Sequence, residues 1–234
     1  MNSIATSPTP ASPWKLIAPW WHTLLLLLAL AAYAGRSFYL RGFAPSAIHG
    51  RVARYALVIF AEWFFVALVW LGTRTRGVTL RELVGGSWAR WTGVLRDFGI
   101  AVGFLVVSNV VLGLFTHLIH AKQQANIGQM LPQGPVEIAV WVLLSLSAGI
   151  CEEIVFRGYL QKQLSAMVKS GPAGLVLQGA LFGAAHSYQG GQYALVIALL
   201  GTMLGLMAHW RSSLRPGIVS HFLQDGVLAL IGRH

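Results

Sequence analysis

Charged residues are scarce in this sequence. They make up 10% of its 234 residues, whereas hydrophobic residues make up 56%. Because soluble domains carry roughly 25% charged residues, this composition excludes an ordinary soluble domain and is typical of a multi-span helical membrane protein. The net charge of +10 would favour nucleic-acid binding in a soluble protein. Here the basic residues lie between apolar runs, as in cytoplasmic loops and at lipid headgroups, so we expect a lipid bilayer and no nucleic acid as partner.

Cysteine and several catalytic patterns are also nearly or fully absent. Cys151 is the only cysteine, which excludes an intramolecular disulfide and a C-x-x-C metal site. No basic residue adjoins it to activate the thiol, so we interpret Cys151 as a packing residue. No serine stands in a nucleophile-elbow context, aspartate occurs only at Asp97 and Asp225, and no H-E-x-x-H zinc motif is present.

Long apolar runs dominate what remains, and they predict an all-α bundle with about seven membrane-spanning helices, within a range of six to eight. The runs are 16–34, 52–73, 98–119, 136 onward, 173–187, 193–209 and 216–231. The first run could be a signal peptide or an uncleaved helix, and its length favours the helix. Two small-x-x-x-small motifs, Gly179 to Gly183 and Gly201 to Gly205, predict close helix contacts.

The chain divides into three parts. Residues 1–13 are polar with three prolines, which predicts a flexible tail. Residues 14–134 hold the first membrane helices and, at 74–96, a basic amphipathic segment expected to lie in the interface. Residues 135–231 form a core that carries most of the buried polar groups. Loop Lys and Arg residues favour a cytoplasmic N-terminus.

The stretch C-E-E-I-V-F-R-G-Y-L at 151–160 places three ionisable residues in an apolar surrounding. Such groups are costly inside a membrane and are candidates for function. Glu153 and Arg157 are four residues apart, so we expect them to pair on one helix face. Glu152 is rotated by about 100° from Glu153 and is expected to point elsewhere. A purely structural ion-pair cluster is the alternative. Glu62, in the middle of the second run, either pairs with a neighbouring helix or contributes to the site.

Two later runs carry further polar clusters. Phe182 and His186 are four apart, and so are His221 and Asp225. A carboxylate, a histidine, and a second histidine with a polar neighbour can together hydrolyse an amide: the carboxylate takes a proton from water, one histidine orients the water, and the other stabilises the oxyanion. His186 lies about 21 Å from the start of the fifth run, and His221 lies about 9 Å from the start of the seventh. The two histidines therefore meet only if the fifth run starts outside the hydrocarbon or tilts strongly.

Three motifs in this order resemble those of the CPBP family, the CAAX-protease and bacteriocin-processing membrane endopeptidases, also called the type II CAAX prenyl endopeptidase or Abi family. They are E-E-x-x-x-R at Glu152, Glu153 and Arg157, F-x-x-x-H at Phe182 and His186, and H-x-x-x-[N/D] at His221 and Asp225. The resemblance covers roughly residues 135–231, which would then be the catalytic core, and the preceding helices match only in being hydrophobic.

The resemblance implies an intramembrane glutamic endopeptidase. Glu152 would be the general base, assisted by His186, and His221 with Asp225 would form the oxyanion pocket. Supporting roles would fall to Glu153, Arg157 and Phe182. The departure is Asp225, where members of the family often carry asparagine, since an ionised aspartate cannot donate a hydrogen bond.

Other functions remain open from the sequence. The same residues could bind zinc in a metalloprotease, although no cofactor is expected under the glutamic mechanism. The chain could also be a non-catalytic immunity or binding protein, or a transporter, for which the lack of repeats is unfavourable. The family implies a peptide or protein substrate, either lipidated or of the bacteriocin-processing kind, and localisation as a multi-pass protein of the bacterial inner membrane.

Overall fold

A computed structural model describes residues 14–40, 50–122 and 130–231 of the chain, with side chains as far as residue 226. Within these ranges the protein forms eight helices and no sheet, which confirms the all-α prediction. The helices are α1 (Trp20–Leu40), α2 (Arg51–Arg74), α3 (Leu80–Val84), α4 (Trp91–Leu118), α5 (Pro135–Val168), α6 (Gly171–Ala185), α7 (Gly191–Arg211) and α8 (Arg215–Ile231). The predicted tail at 1–13 and part of the loop before α5 lie outside the described residues.

Five of these helices, α1, α2, α4, α5 and α7, are long and apolar enough to cross a membrane. Helices α6 and α8 are shorter, with 15 and 17 residues. Each of the seven predicted apolar runs therefore corresponds to a helix. Their outward faces carry many exposed large apolar side chains, which in a bilayer contact lipid instead of water. The protein is an integral, multi-pass membrane protein.

The predicted interfacial segment at 74–96 contains little helix before α4. Only the five residues of α3 are helical before α4 begins at Trp91. Gly85 and Gly86 follow α3 with positive φ angles, which ends the helix. Helix α3 begins with a capping box, in which the backbone N–H and hydroxyl of Thr79 donate to Glu82 and hold the pKa of that carboxyl below its usual value.

A directed chain of hydrogen bonds joins α1 to α5 and α2. The Leu68 carbonyl can only accept, so His22 donates to it from Nε2 (2.9 Å). A neutral His22 then accepts at Nδ1 from the Tyr159 hydroxyl (3.0 Å). Tyr159 in turn accepts from Thr23, which accepts from the Gln163 amide, each over 3.0 Å. Every polar group in this chain is satisfied, as burial requires.

The packing of α6 against α7 depends on glycine. A Cβ atom at Gly183 would overlap the backbone carbonyl of Ala194, and one at Gly179 would overlap the Thr202 hydroxyl. The close contact predicted from the small-residue motif on α6 is therefore confirmed. It draws α6 and α7 together beside the π-helical part of α5, where the polar residues lie.

Substituting Gly183→Ala tests this contact. The added methyl group would push α7 away, and overpacking of this kind costs about 1–3 kcal/mol, so we expect a lower thermal unfolding midpoint in detergent. Gly113→Ala on α4 is the matched control, because no atom lies within 4 Å of the position that its Cβ would occupy. Equal midpoints for the two variants would contradict the close-packing interpretation.

Candidate active site

A π-helical segment interrupts α5 at the polar stretch. Residues Pro135–Glu152 are α-helical, Glu153–Leu160 follow i to i+5 hydrogen bonding, and Gln161–Val168 are α-helical again. All eight residues of the π-helical segment are buried. Such segments are rare and occur frequently at functional sites. Since all of its side chains are buried, neighbouring elements surround α5 on every side over this segment.

A fully buried ion pair lies within this segment. Arg157 Nη1 is 2.9 Å from Glu153 Oε1, and neither side chain is exposed. The predicted pairing of these residues is confirmed. The guanidinium also lies over the Phe182 ring, 4.2 Å from its centroid, and donates from Nη2 to the Gly201 carbonyl at 3.3 Å. The cation thus has three kinds of partner, which buried charge requires.

The imidazole of His221 connects both glutamates. Its Nδ1 lies 3.3 Å from Glu153 Oε1, and its Nε2 lies 3.6 Å from both Glu152 Oε2 and Asp225 Oδ2. The expectation that Glu152 points away from Glu153 needs correction, because the two carboxyls reach opposite edges of one ring. Glu153 is unexposed, whereas the side chains of Glu152 and Asp225 are 21% and 30% exposed. The site is closed on one side and accessible on the other.

Phe182 separates the two histidines. Its ring centroid is 4.7 Å from that of His186 and 5.9 Å from that of His221. His186 ends α6, and its Nδ1 contacts the Phe182 carbonyl at 2.9 Å. Among the described contacts of His186, none is a hydrogen bond or ion pair with Glu152. His186 therefore contacts the cluster through the Phe182 ring and not through Glu152, the predicted general base.

The predicted difference in depth between His186 and His221 is compensated because α6 and α8 start at different positions along α5. Near its start, α6 approaches α5 at Ser165, which adjoins Gly174. The start of α8 approaches α5 at Gly158, which adjoins Leu214. These positions on α5 are seven residues apart, or about 10 Å. Helix α6 thus starts farther along α5, and this offset compensates for most of the difference in depth.

Tyr188 is a neighbour of the site that sequence reasoning missed. It lies in a 3₁₀ turn after α6, with its ring centroid 6.0 Å from that of His186, and it interacts with Glu152 and Asp225. Burial raises the pKa of the Tyr188 phenol well above its ordinary value. The hydroxyl therefore stays protonated and can donate a hydrogen bond. No motif spacing in the sequence singles it out.

A zinc ion would require a different arrangement of donors. Tetrahedral zinc needs three or four nitrogen, sulfur or oxygen ligands at about 2.0–2.3 Å. Within the described part of the chain, no group of three His, Cys, Asp or Glu side chains is placed to hold a metal ion. This arrangement does not fit the zinc alternative.

The fold and this cluster define a class of protein: a polytopic membrane protein with an acid–imidazole site enclosed among its helices. Residues 134–227, which contain all the site residues named above, match the family model described as Type II CAAX prenyl endopeptidase Rce1-like. That description is of a family of proteases, so the match supports an intramembrane protease whose substrates are proteins or peptides. Neither a curated protein nor a solved structure matches the chain.

Gly217→Ala tests whether the position of Glu153 matters. A Cβ atom at Gly217 would lie 2.8 Å from Glu153 Oε2, so the carboxyl must shift away from Arg157 and His221. We expect proteolytic activity to fall by about 10-fold or more, since partners that orient a site residue typically contribute 10–100-fold.

The matched control is Gly226→Ala on the same helix, which has no atom within 4 Å of its Cβ position. Both variants should be compared at equal amounts of folded protein in detergent. Wild-type activity in Gly217→Ala would show that the contact between Glu153 and His221 is dispensable.

Proposed function

We propose that this protein is a glutamic endopeptidase in which Glu152 activates water. The observation that carries the proposal is the different exposure of two adjacent acids. Glu153 is unexposed and paired with Arg157, whereas Glu152 is partly exposed and next to His221 Nε2. A general base must reach both its proton and the solvent. Glu152 meets that requirement and Glu153 does not.

The histidines would have separate roles. Glu153 occupies His221 Nδ1, which leaves Nε2 facing the accessible side of the site, where an oxyanion would form. For His186, the Phe182 carbonyl can only accept, so Nδ1 carries the proton. In a neutral ring, Nε2 is then free to accept a hydrogen bond from the water and orient it for attack.

Asp225 would complete the oxyanion pocket beside His221. An ionised aspartate cannot donate to an oxyanion, so it acts either in its protonated form or by orienting His221. The neutral hydroxyl of Tyr188 is close enough to the acids to interact with them. It is a second donor that the pocket could use when Asp225 is ionised.

The substrate would be a membrane-associated protein or peptide. The family description favours a CAAX-type, lipidated substrate, and bacteriocin-like peptides are the second class that the motifs imply. The depth of the site within the bundle supports a substrate that is itself bound to the membrane. We infer that the host membrane is a bacterial inner membrane.

Glu152→Gln is the decisive substitution. The amide keeps the shape of the side chain but cannot take a proton from water, so we expect peptide cleavage to fall by about 10²–10⁴-fold. The assay compares purified wild type and variant on a membrane peptide library, with cleavage sites read by mass spectrometry.

Glu137→Gln, the same change near the start of α5, serves as control because that acid pairs with Arg51 far from the site. Its activity should remain within about threefold of wild type. If Glu152→Gln cleaves as well as wild type, the glutamic mechanism is wrong. Loss of wild-type activity on chelation would favour the metalloprotease instead.

Asp225→Asn tests the oxyanion pocket. Asparagine donates a hydrogen bond at any pH, so we expect activity equal to or above that of wild type. Asp225→Leu removes the polar group and should lower kcat by about 10²-fold, as loss of an oxyanion donor does. An inactive but folded Asp225→Asn variant would mean that the carboxylate charge itself is required.

A further inference from the structure

A buried acid outside the three motifs faces the same site. Glu62 lies near the middle of α2 and is 8% exposed. The buried residues of α2 around it recur at helical spacing, with Tyr55 before it and Phe65, Val66 and Val69 after it. Glu62 therefore occupies a core position in a mainly apolar stripe, where an ionisable group is costly and a candidate for function.

The register of α2 against α5 explains where this acid points. Near the starts of the two helices, Arg51 Nε pairs with Glu137 Oε2 at 2.9 Å. One turn farther along each helix, the Tyr55 and Trp141 rings lie edge to face with centroids 5.3 Å apart. Both pairs are separated by the same number of residues, so the helices run parallel and in register. This register places the middle of α2 opposite the turn of α5 that precedes Glu152.

The contacts of Glu62 agree with this placement. The Ser147 side chain lies close to its carboxyl, and Glu152, Asp225 and His221 are within electrostatic range of it. One of its oxygens, Oε2, is buried and has no hydrogen-bond partner among the described residues. Glu62 thus presents a buried polar atom without a partner on the side of the bundle that holds the site.

The charges of the cluster do not balance if every acid is ionised. Arg157 neutralises Glu153, which leaves Glu62, Glu152 and Asp225 around the single imidazole of His221. Like charges in a buried site disfavour joint ionisation. An acid that is buried without a cation partner retains its proton. Among the described residues, no cation is in direct contact with Glu62, whereas Glu152 and Asp225 each lie beside His221 and are partly exposed.

We propose that Glu62 is a positioning residue of this active site, which holds a proton so that the negative charge stays on Glu152. The inference depends on the proposed role of Glu152 as general base. When Glu62 loses that proton, a second negative charge faces the developing oxyanion, which raises the energy of the transition state. Activity should then fall at alkaline pH.

Titratable groups on three helices face Glu62. They are Tyr33 on α1, Cys151 and Glu152 on α5, and His221 and Asp225 on α8. Each remains in the variants below, so a change in the pH profile is attributable to position 62 or to its neighbour Ser147.

The test is the pH dependence of kcat/KM for Glu62→Gln. Glutamine mimics the shape and the neutrality of the protonated carboxyl. We expect activity within about threefold of wild type at neutral pH, and an alkaline limb displaced upward by about one pH unit or more. Glu82→Gln, on the exposed helix α3, is the control and should leave the profile unchanged.

Ser147→Ala supplies a second variant that does not alter the acid. A hydroxyl beside a carboxyl favours its ionised form, so removal of the Ser147 hydroxyl should also move the alkaline limb to higher pH. If Glu62→Gln fails to fold, this variant alone decides the question.

Two results would overturn the inference. One is an alkaline limb identical to wild type in both variants. The other is a folded Glu62→Gln protein without activity at any pH, since Glu62 would then be needed in its charged form or as a proton donor. Either result leaves the proposed function standing as long as Glu152→Gln is inactive. An active Glu152→Gln variant refutes the proposed function independently of Glu62.

Discussion

The buried contact of Glu153 with Arg157 and His221 is the interaction on which the rest of the site depends. Moving such charges out of water costs several kcal/mol per ion, and removing one partner of a buried pair costs about 3–5 kcal/mol. The pair persists because Arg157 also covers the Phe182 ring and because Gly217 leaves room for the carboxyl. The helices of the core therefore pack around the buried pair of Glu153 and Arg157. Because His221 contacts Glu153, its position is fixed by the same pair.

The solvent exposure of the cluster increases outward from Glu153. The Glu153 side chain is unexposed, His221 contacts it, and the side chains of Glu152 and Asp225 are partly exposed. The gradient coincides with the π-helical segment, which begins immediately after Glu152 and in which every residue as far as Leu160 is buried. Two neighbouring glutamates can thus have different environments, one fixed and neutralised, the other open to water.

Local geometry made part of this structure predictable. The spacing of Glu153 and Arg157 predicted their pairing, the apolar runs predicted the helices, and the glycine motif of α6 predicted its contact with α7. The π-helical segment was not predictable, since its cause is the packing of neighbouring helices and not local propensity. The offset of α6 along α5 and the approach of Tyr188 are likewise tertiary effects. The position of Glu62 could not be predicted without the register between α2 and α5. Contacts near the starts of the two helices determine that register.

The same charge balance connects positions 62 and 225, on helices that are far apart in the sequence. With the His186 ring neutral, as proposed above, Arg157 and His221 can neutralise at most two of the four acids gathered here, and each further ionised acid in a low-dielectric site is costly. An asparagine in place of Asp225 would leave one acid fewer to accommodate. With aspartate there, at least one acid of the cluster must hold a proton, and Glu62, which is buried and has no cation in direct contact among the described residues, is placed to hold it. The aspartate in α8 and the buried acid in α2 are then connected by one charge balance.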